Sequence, residues 1–474
     1  MKLKRSLNLL DVFCLASGAM ISSGLFVLPG LAHAKAGPAL FVSYLFAGIM
    51  AATGMLSQAE LVSAMPKTGG DYFFVKRSMG SAAGTVDGIL IWFSLSLKSA
   101  FALVGMAAFT QLIIGWDIRI IGVALCLLFI SLNIIGVKEA GVFQVILVTG
   151  LIGLLLFYVA RGFSNVNVQY FDNYNPYGWG AIFSTAGFVF VSYGGLLKIT
   201  SVAEEVKDPA KTIPLAMILS LIVVSIIYGL VIFVTTGVLE PLEFDVTLTP
   251  ISDSAGIFLG NPGKIALSIA AILAFISTAN AGIMAASRYP FSLSRDGLFP
   301  GFFSRISKRF GTPYIAIMVT GFFMIISLFL DLYILVEAAS TVLILTYMFS
   351  CLSVIIMRES KLQNYRPKFK TPLYPFIQIF GVAGFIFFLF EIGKDAWFIS
   401  FILVTFGLFC YWFYGRIRST RESAILHLIE RITARELVSG TLETELKEII
   451  RERDDIMKDR FDKIIEESIV LDIE

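Results

Sequence analysis

The chain has 474 residues, of which 57% are hydrophobic and 15% are charged, and its formal net charge is +2. Soluble proteins carry about 25% charged residues, so this composition excludes a disordered chain, a nucleic-acid-binding protein and an ordinary soluble enzyme. The four cysteines are scattered through apolar runs and only two histidines are present, so we expect neither a disulfide framework nor a histidine-based metal cluster.

Long apolar runs recur along the chain as far as residue 415. A membrane-spanning helix needs about 20 mostly apolar residues, and twelve runs approach or exceed this length. The sequence therefore predicts an all-α integral membrane protein. Its twelve predicted transmembrane helices are formed by residues 8–34, 37–62, 82–114, 119–136, 141–160, 180–203, 213–239, 264–287, 313–330, 333–357, 374–392 and 397–415.

The positively charged residues predict how these helices are oriented. If the N-terminus is cytoplasmic, the inner segments up to residue 415 carry 19 Lys and Arg residues and the outer segments carry 5. Lys and Arg are enriched in the cytoplasmic loops of membrane proteins. We therefore expect a multi-pass protein of the cell membrane with both termini in the cytoplasm.

Small polar residues interrupt the first predicted span in the stretch Ala19-Met20-Ile21-Ser22-Ser23-Gly24-Leu25. Glycine inside a helix costs up to about 1 kcal/mol relative to alanine. Backbone groups that are freed at membrane depth are tolerated only where they line a cavity or are buried in protein. A helix that begins near Ser23 would offer free N–H groups and a partial positive charge, which suit a carboxylate.

The sixth predicted span has a second interruption, Phe190-Val191-Ser192-Tyr193-Gly194-Gly195-Leu196. Carbonyl groups freed here would suit an ammonium group or Na⁺, so the two interruptions together suit a zwitterion. They lie five spans apart, at corresponding positions of two five-helix halves that have opposite topology, as in secondary transporters built from inverted repeats. The alternative is that the glycines only allow helices to pack closely.

Two lysines lie in apolar surroundings. Lys98 falls near the middle of the third predicted span, and Lys198 follows Gly194-Gly195 by one turn. A lysine at the membrane centre costs roughly 2.5–3.5 kcal/mol, so both are predicted to act in substrate binding or in coupling. Alternatively, Lys98 forms a structural pair with Glu60 or Asp87, and Lys198 has a structural partner or lies in a water-filled vestibule.

The composition changes sharply after Arg416. Residues 417–474 contain 10 basic and 15 acidic residues, with apolar residues at helical spacing. The sequence therefore predicts two domains, a transporter domain of residues 1–416 and a charged, helical cytoplasmic tail of residues 417–474. The tail is expected either to pack on the inner face of the first domain or to act in regulation or in forming a homodimer.

Several motifs resemble those of the amino acid–polyamine–organocation (APC) transporter superfamily, over about residues 8–415. They are Gly18-Ala19-Met20-Ile21-Ser22-Ser23-Gly24-Leu25-Phe26, Pro66-Lys67-Thr68-Gly69-Gly70-Asp71-Tyr72, Ala203-Glu204-Glu205-Val206-Lys207-Asp208-Pro209 and Ser277-Thr278-Ala279-Asn280-Ala281-Gly282. The resemblance implies a LeuT-type core, a five-plus-five inverted repeat with broken first and sixth helices, and two peripheral helices. It also implies that the substrates are amino acids or their amines.

The resemblance further implies the positions of a substrate site. The substrate carboxylate would be held by Ile21, Ser22, Ser23 and Gly24. The carbonyl groups near Val191, Ser192 and Gly194 would hold the amino group, and Phe190 or Tyr193 would close the pocket. By resemblance, Lys98 lies on the part of the third helix that lines this pocket.

The resemblance leaves the coupling ion open. Ala19, Met20, Ser277 and Thr278 lie where family members with a sodium site place their ligands, although Ser277 and Thr278 would equally suit hydrogen bonds between helices. Many members instead carry a lysine in the fifth helix, but residues 144–152 contain no ionisable group. The expected coupling ion is Na⁺ or H⁺, the coupling candidates include Lys98 and Lys198, and no other cofactor is expected.

The sequence thus predicts a secondary active amino acid transporter that works by alternating access, as a symporter, an exchanger or a facilitator. The expected partners are an amino acid and the lipid bilayer. An enzyme is not expected, because no catalytic cluster and no phosphate-binding loop is visible. The alternative is an amino acid sensor of the same fold that does not transport and signals through its C-terminal tail.

Overall fold

A computed structural model describes residues 7–66, 70–136, 141–201, 203–362, 364–418 and 423–429. The described chain is helical apart from its connections and one isolated β-bridge between Leu7 and Val206. The helices are α1 (Leu9–Met20), α2 (Ser23–Phe26), α3 (Leu28–Ala36), α4 (Leu40–Ala64), α5 (Asp71–Met79), α6 (Ser81–Ile114), α7 (Ile118–Ile135), α8 (Gly141–Gly162), α9 (Gly178–Phe188), α10 (Leu197–Ser201), α11 (Pro209–Val238), α12 (Pro241–Phe244), α13 (Pro250–Arg295), α14 (Tyr314–Ser327), α15 (Leu332–Glu359), α16 (Phe376–Ile392), α17 (Lys394–Cys410) and α18 (Arg416–Arg418).

Within the described ranges, nine helical segments are long and apolar enough to cross a membrane. Three shorter apolar helices, α1, α14 and α16, fall within the first, ninth and eleventh predicted spans. These findings confirm a multi-pass, all-helical membrane protein, whereas the number of twelve spans stays a prediction. The nine segments are Leu28–Ala64, Ser81–Gln111, Ile118–Ile135, Gln144–Asn165, Gly178–Thr200, Pro209–Val238, Pro250–Arg295, Leu332–Glu359 and Lys394–Gly415.

Local sequence signals explain where several helices begin and end. Asn8 caps α1, because its Oδ1 accepts hydrogen bonds from the backbone N–H groups of Leu10 and Asp11 at 2.9 and 3.1 Å. The Asp11 carboxylate in turn accepts from the N–H of Asn8 at 2.9 Å, which completes a capping box. At the other ends, α6 and α7 stop at Gly115 and Gly136, which adopt the left-handed conformation that favours glycine.

The burial of each helix separates the centre of the bundle from its lipid-facing edge. In the apolar window of α6, 89% of the residues are buried in the protein, against 28% for α7 and for α17. Helix α6 packs along α13 and α15, while α4 packs along α11. Helix α1 and the 3₁₀ segment Val189–Leu196 lie against each other among these central helices. The two predicted interruptions are therefore in the core of the molecule.

Only part of the predicted tail can be compared with the structure. Most of residues 417–474 lies outside the described residues, so the predicted helices and homodimer of the tail are untested. Within the short segment 423–429, Ser423 and Ala424 are buried. An added Cβ on Gly80, between α5 and α6, would lie 3.6 Å from the Ser423 hydroxyl. The start of the tail therefore packs against the first predicted domain.

Candidate functional site

The first helix is interrupted where small polar residues predicted it. Helix α1 ends at Met20, Ile21 (ψ 89°) and Ser22 (φ −151°, ψ −138°) leave the helical conformation, and α2 begins at Ser23. Two tyrosine hydroxyls bind carbonyl groups freed here: Tyr228 donates to Met20 and Tyr44 donates to Gly24, each at 2.7 Å. The hydroxyls of Ser22 and Ser23 are buried and have no hydrogen-bond partner within the described ranges.

The sixth span changes its helix type instead of opening completely. Helix α9 ends at Phe188, and Val189–Leu196 continues as a 3₁₀ helix before α10. The Ser340 side chain of α15 supports this change, because its hydroxyl donates to the Phe188 carbonyl at 2.5 Å and accepts from the Val191 N–H at 3.0 Å. The interruption predicted here is thus a tightened segment whose backbone groups bind side chains of other helices.

Glycines bring the two interruptions into direct contact. An added Cβ on Gly24 would lie 2.5 Å from the Ser192 Oγ and 2.8 Å from its Cα. On Gly195, an added Cβ would lie 2.5 Å from both the carbonyl carbon of Ala19 and the nitrogen of Met20. Side chains larger than hydrogen would force the two segments apart. Close packing, the alternative considered for these glycines, therefore occurs together with the interruptions.

Lys98 binds the second interruption. Its side chain is 3% exposed, and its Nζ donates to the carbonyl oxygens of Val191 at 3.1 Å and Ser192 at 3.5 Å. These are the carbonyls that the resemblance assigned to the amino group of a substrate. None of the ion pairs between described residues includes Lys98. Glu60, which was one partner considered for it, pairs with Arg358 instead.

Lys198 lies at the predicted coupling site. Its Nζ donates to the Thr278 carbonyl at 3.2 Å, and the Ser277 hydroxyl donates to Gln144 Oε1 at 2.8 Å. Ala19, Gln144, Lys198, Ser277 and Thr278 line one small cavity of about 70 Å³. Four of the predicted coupling residues thus meet here. Met20 was also predicted to bind Na⁺, but its carbonyl accepts a hydrogen bond from the Tyr228 hydroxyl.

These residues are a poor fit to Na⁺. Hard cations need several oxygen ligands and no competing positive charge. Here the Thr278 carbonyl already accepts from the Lys198 ammonium, whose positive charge would repel a second cation in this cavity. The Thr278 hydroxyl is buried without a hydrogen-bond partner among the described groups. The arrangement favours the ammonium of Lys198 over Na⁺ at this position.

The two predicted gate residues are both fully buried but contact different neighbours. The Phe190 ring packs edge-on against Tyr347, at 5.6 Å between ring centroids, and against Phe385 at 5.7 Å. The Tyr193 hydroxyl donates to the Tyr44 carbonyl on α4 at 2.8 Å. Phe190 is thus part of an aromatic cluster with α15 and α16, whereas Tyr193 joins the interruption to α4. A gating role for either residue stays a prediction.

Further contacts surround the end of α9. The Lys35 ammonium lies 5.0 Å from the Phe188 ring centroid and 4.6 Å from that of Tyr333. The same ammonium donates to the Tyr333 hydroxyl. The rings of Phe188 and Tyr333 stack at 4.7 Å. These contacts join the end of α3 to the start of α15 at Phe188, where α9 ends and the 3₁₀ segment begins.

Sequence reasoning missed several residues that bind the interruptions or line the predicted coupling site. They are Tyr44, Gln144, Tyr228 and Ser340. All four are polar side chains in apolar spans, and all are buried. Their burial could have been suspected from that setting, but their partners lie far away in the chain, so sequence alone does not identify them.

Comparisons with known proteins show the family of this chain. A family model described as "Amino acid permease" matches residues 7–413. The branched-chain amino acid permease BcaP of Bacillus subtilis is 30% identical over 445 residues, covering 88% of this chain and 94% of the relative. The methylthioribose transporter of the same organism is 27% identical and covers 88% and 95% of the two chains. Its serine/threonine exchanger SteT is 27% identical, with coverage of 81% and 90%.

Proposed function

Because this chain belongs to the amino acid permease family, we propose that it is a secondary active transporter that carries amino acids across the cell membrane. The observation that carries this proposal is the meeting of two interrupted helices in the core of the bundle. Where they meet, the buried Ser22 and Ser23 hydroxyls have no described partner, and Lys98 binds the Val191 and Ser192 carbonyls.

We further propose a LeuT-type arrangement of twelve spans, in which two five-helix halves have opposite topology. The interruptions at Ile21–Ser22 and at Val189–Leu196 support this assignment, because they lie in the first and sixth predicted spans. With both termini cytoplasmic, the halves would alternately open the site to either side of the membrane. The contacts of Lys35 with Tyr333 would then belong to the outer closure and would separate in the outward-open state.

The substrate would bind where the two interruptions meet. Ile21, Ser22, Ser23 and Gly24 would hold its carboxylate, and the carbonyls of the 3₁₀ segment near Ser192 and Gly194 would hold its amino group. Lys98 now donates to two of these carbonyls, Val191 and Ser192. The ammonium of Lys98 would therefore compete with the amino group of the substrate, unless Lys98 moves, loses its proton or binds an acidic group of the substrate.

Replacing Lys98 by methionine separates these roles. If protonation of Lys98 couples transport, Lys98→Met should flatten the pH dependence of uptake and leave exchange intact. If Lys98 recognises the substrate, the variant should change which amino acids compete for uptake, by about tenfold in affinity for the loss of one charge-assisted hydrogen bond. Uptake of a labelled substrate at several pH values, with and without competitors, measures both effects.

The matched control is Lys394→Met, which changes an exposed lysine at the start of α17. This control should alter neither the pH dependence nor the order of competitors. If Lys98→Met also alters neither, Lys98 has a structural role only, and its part in the proposal is wrong.

The coupling ion is proposed to be H⁺ rather than Na⁺. The ammonium of Lys198 binds the Thr278 carbonyl, in a cavity where a sodium ion would need free oxygen atoms. Uptake should therefore persist when Na⁺ is replaced by choline. The proposal for this cavity is wrong if uptake requires Na⁺ and Lys198→Met leaves that requirement unchanged.

Truncation tests whether the tail of residues 417–474 is a separate domain. We expect proteins that end at residue 429 or at residue 420 to insert and transport. The shorter protein loses the buried Ser423 and Ala424 and should be less stable by about 1 kcal/mol, as estimated from the apolar area exposed. Uptake, thermal stability and oligomeric state would be measured on both. If either protein inserts but binds no substrate, the tail is part of the transport unit.

The proposed function is tested by counterflow. Purified protein in liposomes would be loaded with one unlabelled amino acid at a time and given the same amino acid in labelled form outside. We expect exchange above that of protein-free liposomes for at least one amino acid, with branched-chain amino acids, serine and threonine tested first because of the named relatives. Binding without exchange would instead support the sensor alternative, which the transporters and exchangers among the relatives do not favour.

A further inference from the structure

Two carboxyl groups are buried near the inner ends of the helices, away from the proposed substrate site. Asp71 is the first residue of α5, and Asp87 lies in the second turn of α6. Asp71 is 1% exposed and Asp87 is 0% exposed. None of their four carboxyl oxygens has a hydrogen-bond partner among the described groups. The carboxyl group of Asp71 acts electrostatically on that of Asp87.

A buried hydroxyl lies beside this pair. Tyr289 of α13 is 2% exposed, and its hydroxyl interacts with the Thr200 side chain. An added Cβ on Gly70 would lie 2.6 Å from this hydroxyl oxygen, so the hydroxyl reaches the backbone immediately before Asp71. Both Asp71 and Asp87 act on it electrostatically. Three buried polar groups from α5, α6 and α13 therefore share one place.

Those charged groups on neighbouring elements that the structure describes have other contacts or line another cavity. No ion pair of the described residues includes Asp71 or Asp87. Lys76 and Tyr72 bind Asp296, and Arg358 pairs with Glu60. Arg77 lies over the Phe73 ring and Arg295 over the Phe291 ring. Tyr347 donates to the Tyr193 carbonyl, Lys198 donates to the Thr278 carbonyl, and Arg288 lines the cavity beside Lys198.

Two unpaired carboxylates could not remain ionised in this setting. Burying one unpaired ion costs several kcal/mol, and two like charges would repel each other in addition. Protonation removes both costs and supplies O–H donors for the neighbouring oxygens. Burial raises the pKa of Asp71 to about 8, so its carboxyl group binds a proton at neutral pH.

We propose that Asp71 and Asp87, together with the hydroxyl of Tyr289, form a proton-binding site that is loaded in the arrangement described here. When the inner ends of the helices separate, water reaches the site, a carboxylic O–H bond breaks, and the proton passes to water while the electron pair stays on the carboxylate. The use of this proton to drive transport rests on the proposed function, whereas the binding of the proton does not.

Proton binding is tested on the purified full-length protein by infrared absorption of protonated carboxyl groups. We expect an absorption band from protonated carboxyl groups at neutral pH, of which the component that titrates with a midpoint near pH 8 is lost in Asp71→Asn while the component of Asp87 remains. The exposed Asp172 provides the control, because Asp172→Asn should keep the band. The proposal would be overturned if the carboxyl groups are already ionised at a pH about two units below that midpoint. It would also be overturned if Na⁺ abolishes the band at constant pH.

Coupling is tested in liposomes with a pH gradient and no Na⁺. Asp71→Asn and Asp87→Asn should each reduce gradient-driven accumulation by about tenfold, within the range usual for coupled sites, and should retain counterflow exchange. Wild-type accumulation in both variants would overturn the coupling role. If the wild-type protein transports nothing, the proposed function fails while the infrared titration still decides whether the proton site exists.

Discussion

Replacing Gly24 by leucine is expected to abolish uptake. A Cβ at this position would lie 2.5–2.8 Å from atoms of Ser192, so the first interruption would be pushed away from the second. Overpacking of this kind typically costs about 1–3 kcal/mol of stability, and leucine also fills the approach to the site. Uptake by proteoliposomes, normalised to the amount of inserted protein, measures the effect.

Two further variants make this prediction specific. Gly150→Leu is the matched control, because a Cβ on Gly150 meets nothing within 4 Å, and this variant should transport normally. Gly24→Ala adds the Cβ alone and should give an intermediate loss in protein that elutes as the wild type does in size-exclusion chromatography. Normal uptake by well-inserted Gly24→Leu would show that the substrate does not bind where the two interruptions meet.

Replacing Glu60 by glutamine is expected to destabilise the protein severely. The Glu60 carboxylate is fully buried and accepts from Arg358 Nη2 at 2.6 Å and Nε at 2.8 Å. It also accepts from the Tyr365 hydroxyl at 2.9 Å and the Thr371 N–H at 2.7 Å. Breaking a buried pair leaves the other charge unpaired and costs about 3–5 kcal/mol. Thermal unfolding in detergent measures the loss.

An exposed acid on α15, next to Arg358, provides the comparison. Glu359 is exposed and accepts from the Tyr374 hydroxyl at 2.8 Å. Glu359→Gln should change stability by only about 0–1 kcal/mol. Equal thermal stability of the Glu60→Gln protein and the wild type would show that the carboxylate does not hold the 360–375 connection to α4.

The positions of the interruptions could be predicted, but their form could not. The run Ser22-Ser23-Gly24 predicted a break in the first span, and α1 ends and α2 begins within two residues of it. In the sixth span, a pair of glycines is compatible with an open break or with a tightened helix. Ser340, 149 residues along the chain from Val191, binds its N–H and supports the 3₁₀ form. No local signal encodes that contact.

The partners of the buried charges were also beyond sequence reasoning. A lysine in a span indicates a buried cation, and a carboxylate partner was the structural alternative considered for Lys98. Its partners are backbone carbonyls about 93 residues away, which have no side-chain signature. Glu60 was considered for this role, yet it pairs with Arg358, 298 residues distant. Composition indicates that a charge must be satisfied, while the packing of the helices decides which group satisfies it.

The central claim is that the substrate binds where the two interruptions meet, and protection of an introduced cysteine tests it most directly. The four native cysteines would be replaced, so that Ser22→Cys carries the one thiol. Ser22 is buried in the arrangement described here, so this thiol should react when the site opens. In protein that still exchanges substrate, we expect a saturating amount of that substrate to slow the labelling of Ser22→Cys by about tenfold. Labelling that is unchanged by a substrate that the same protein transports would contradict the account.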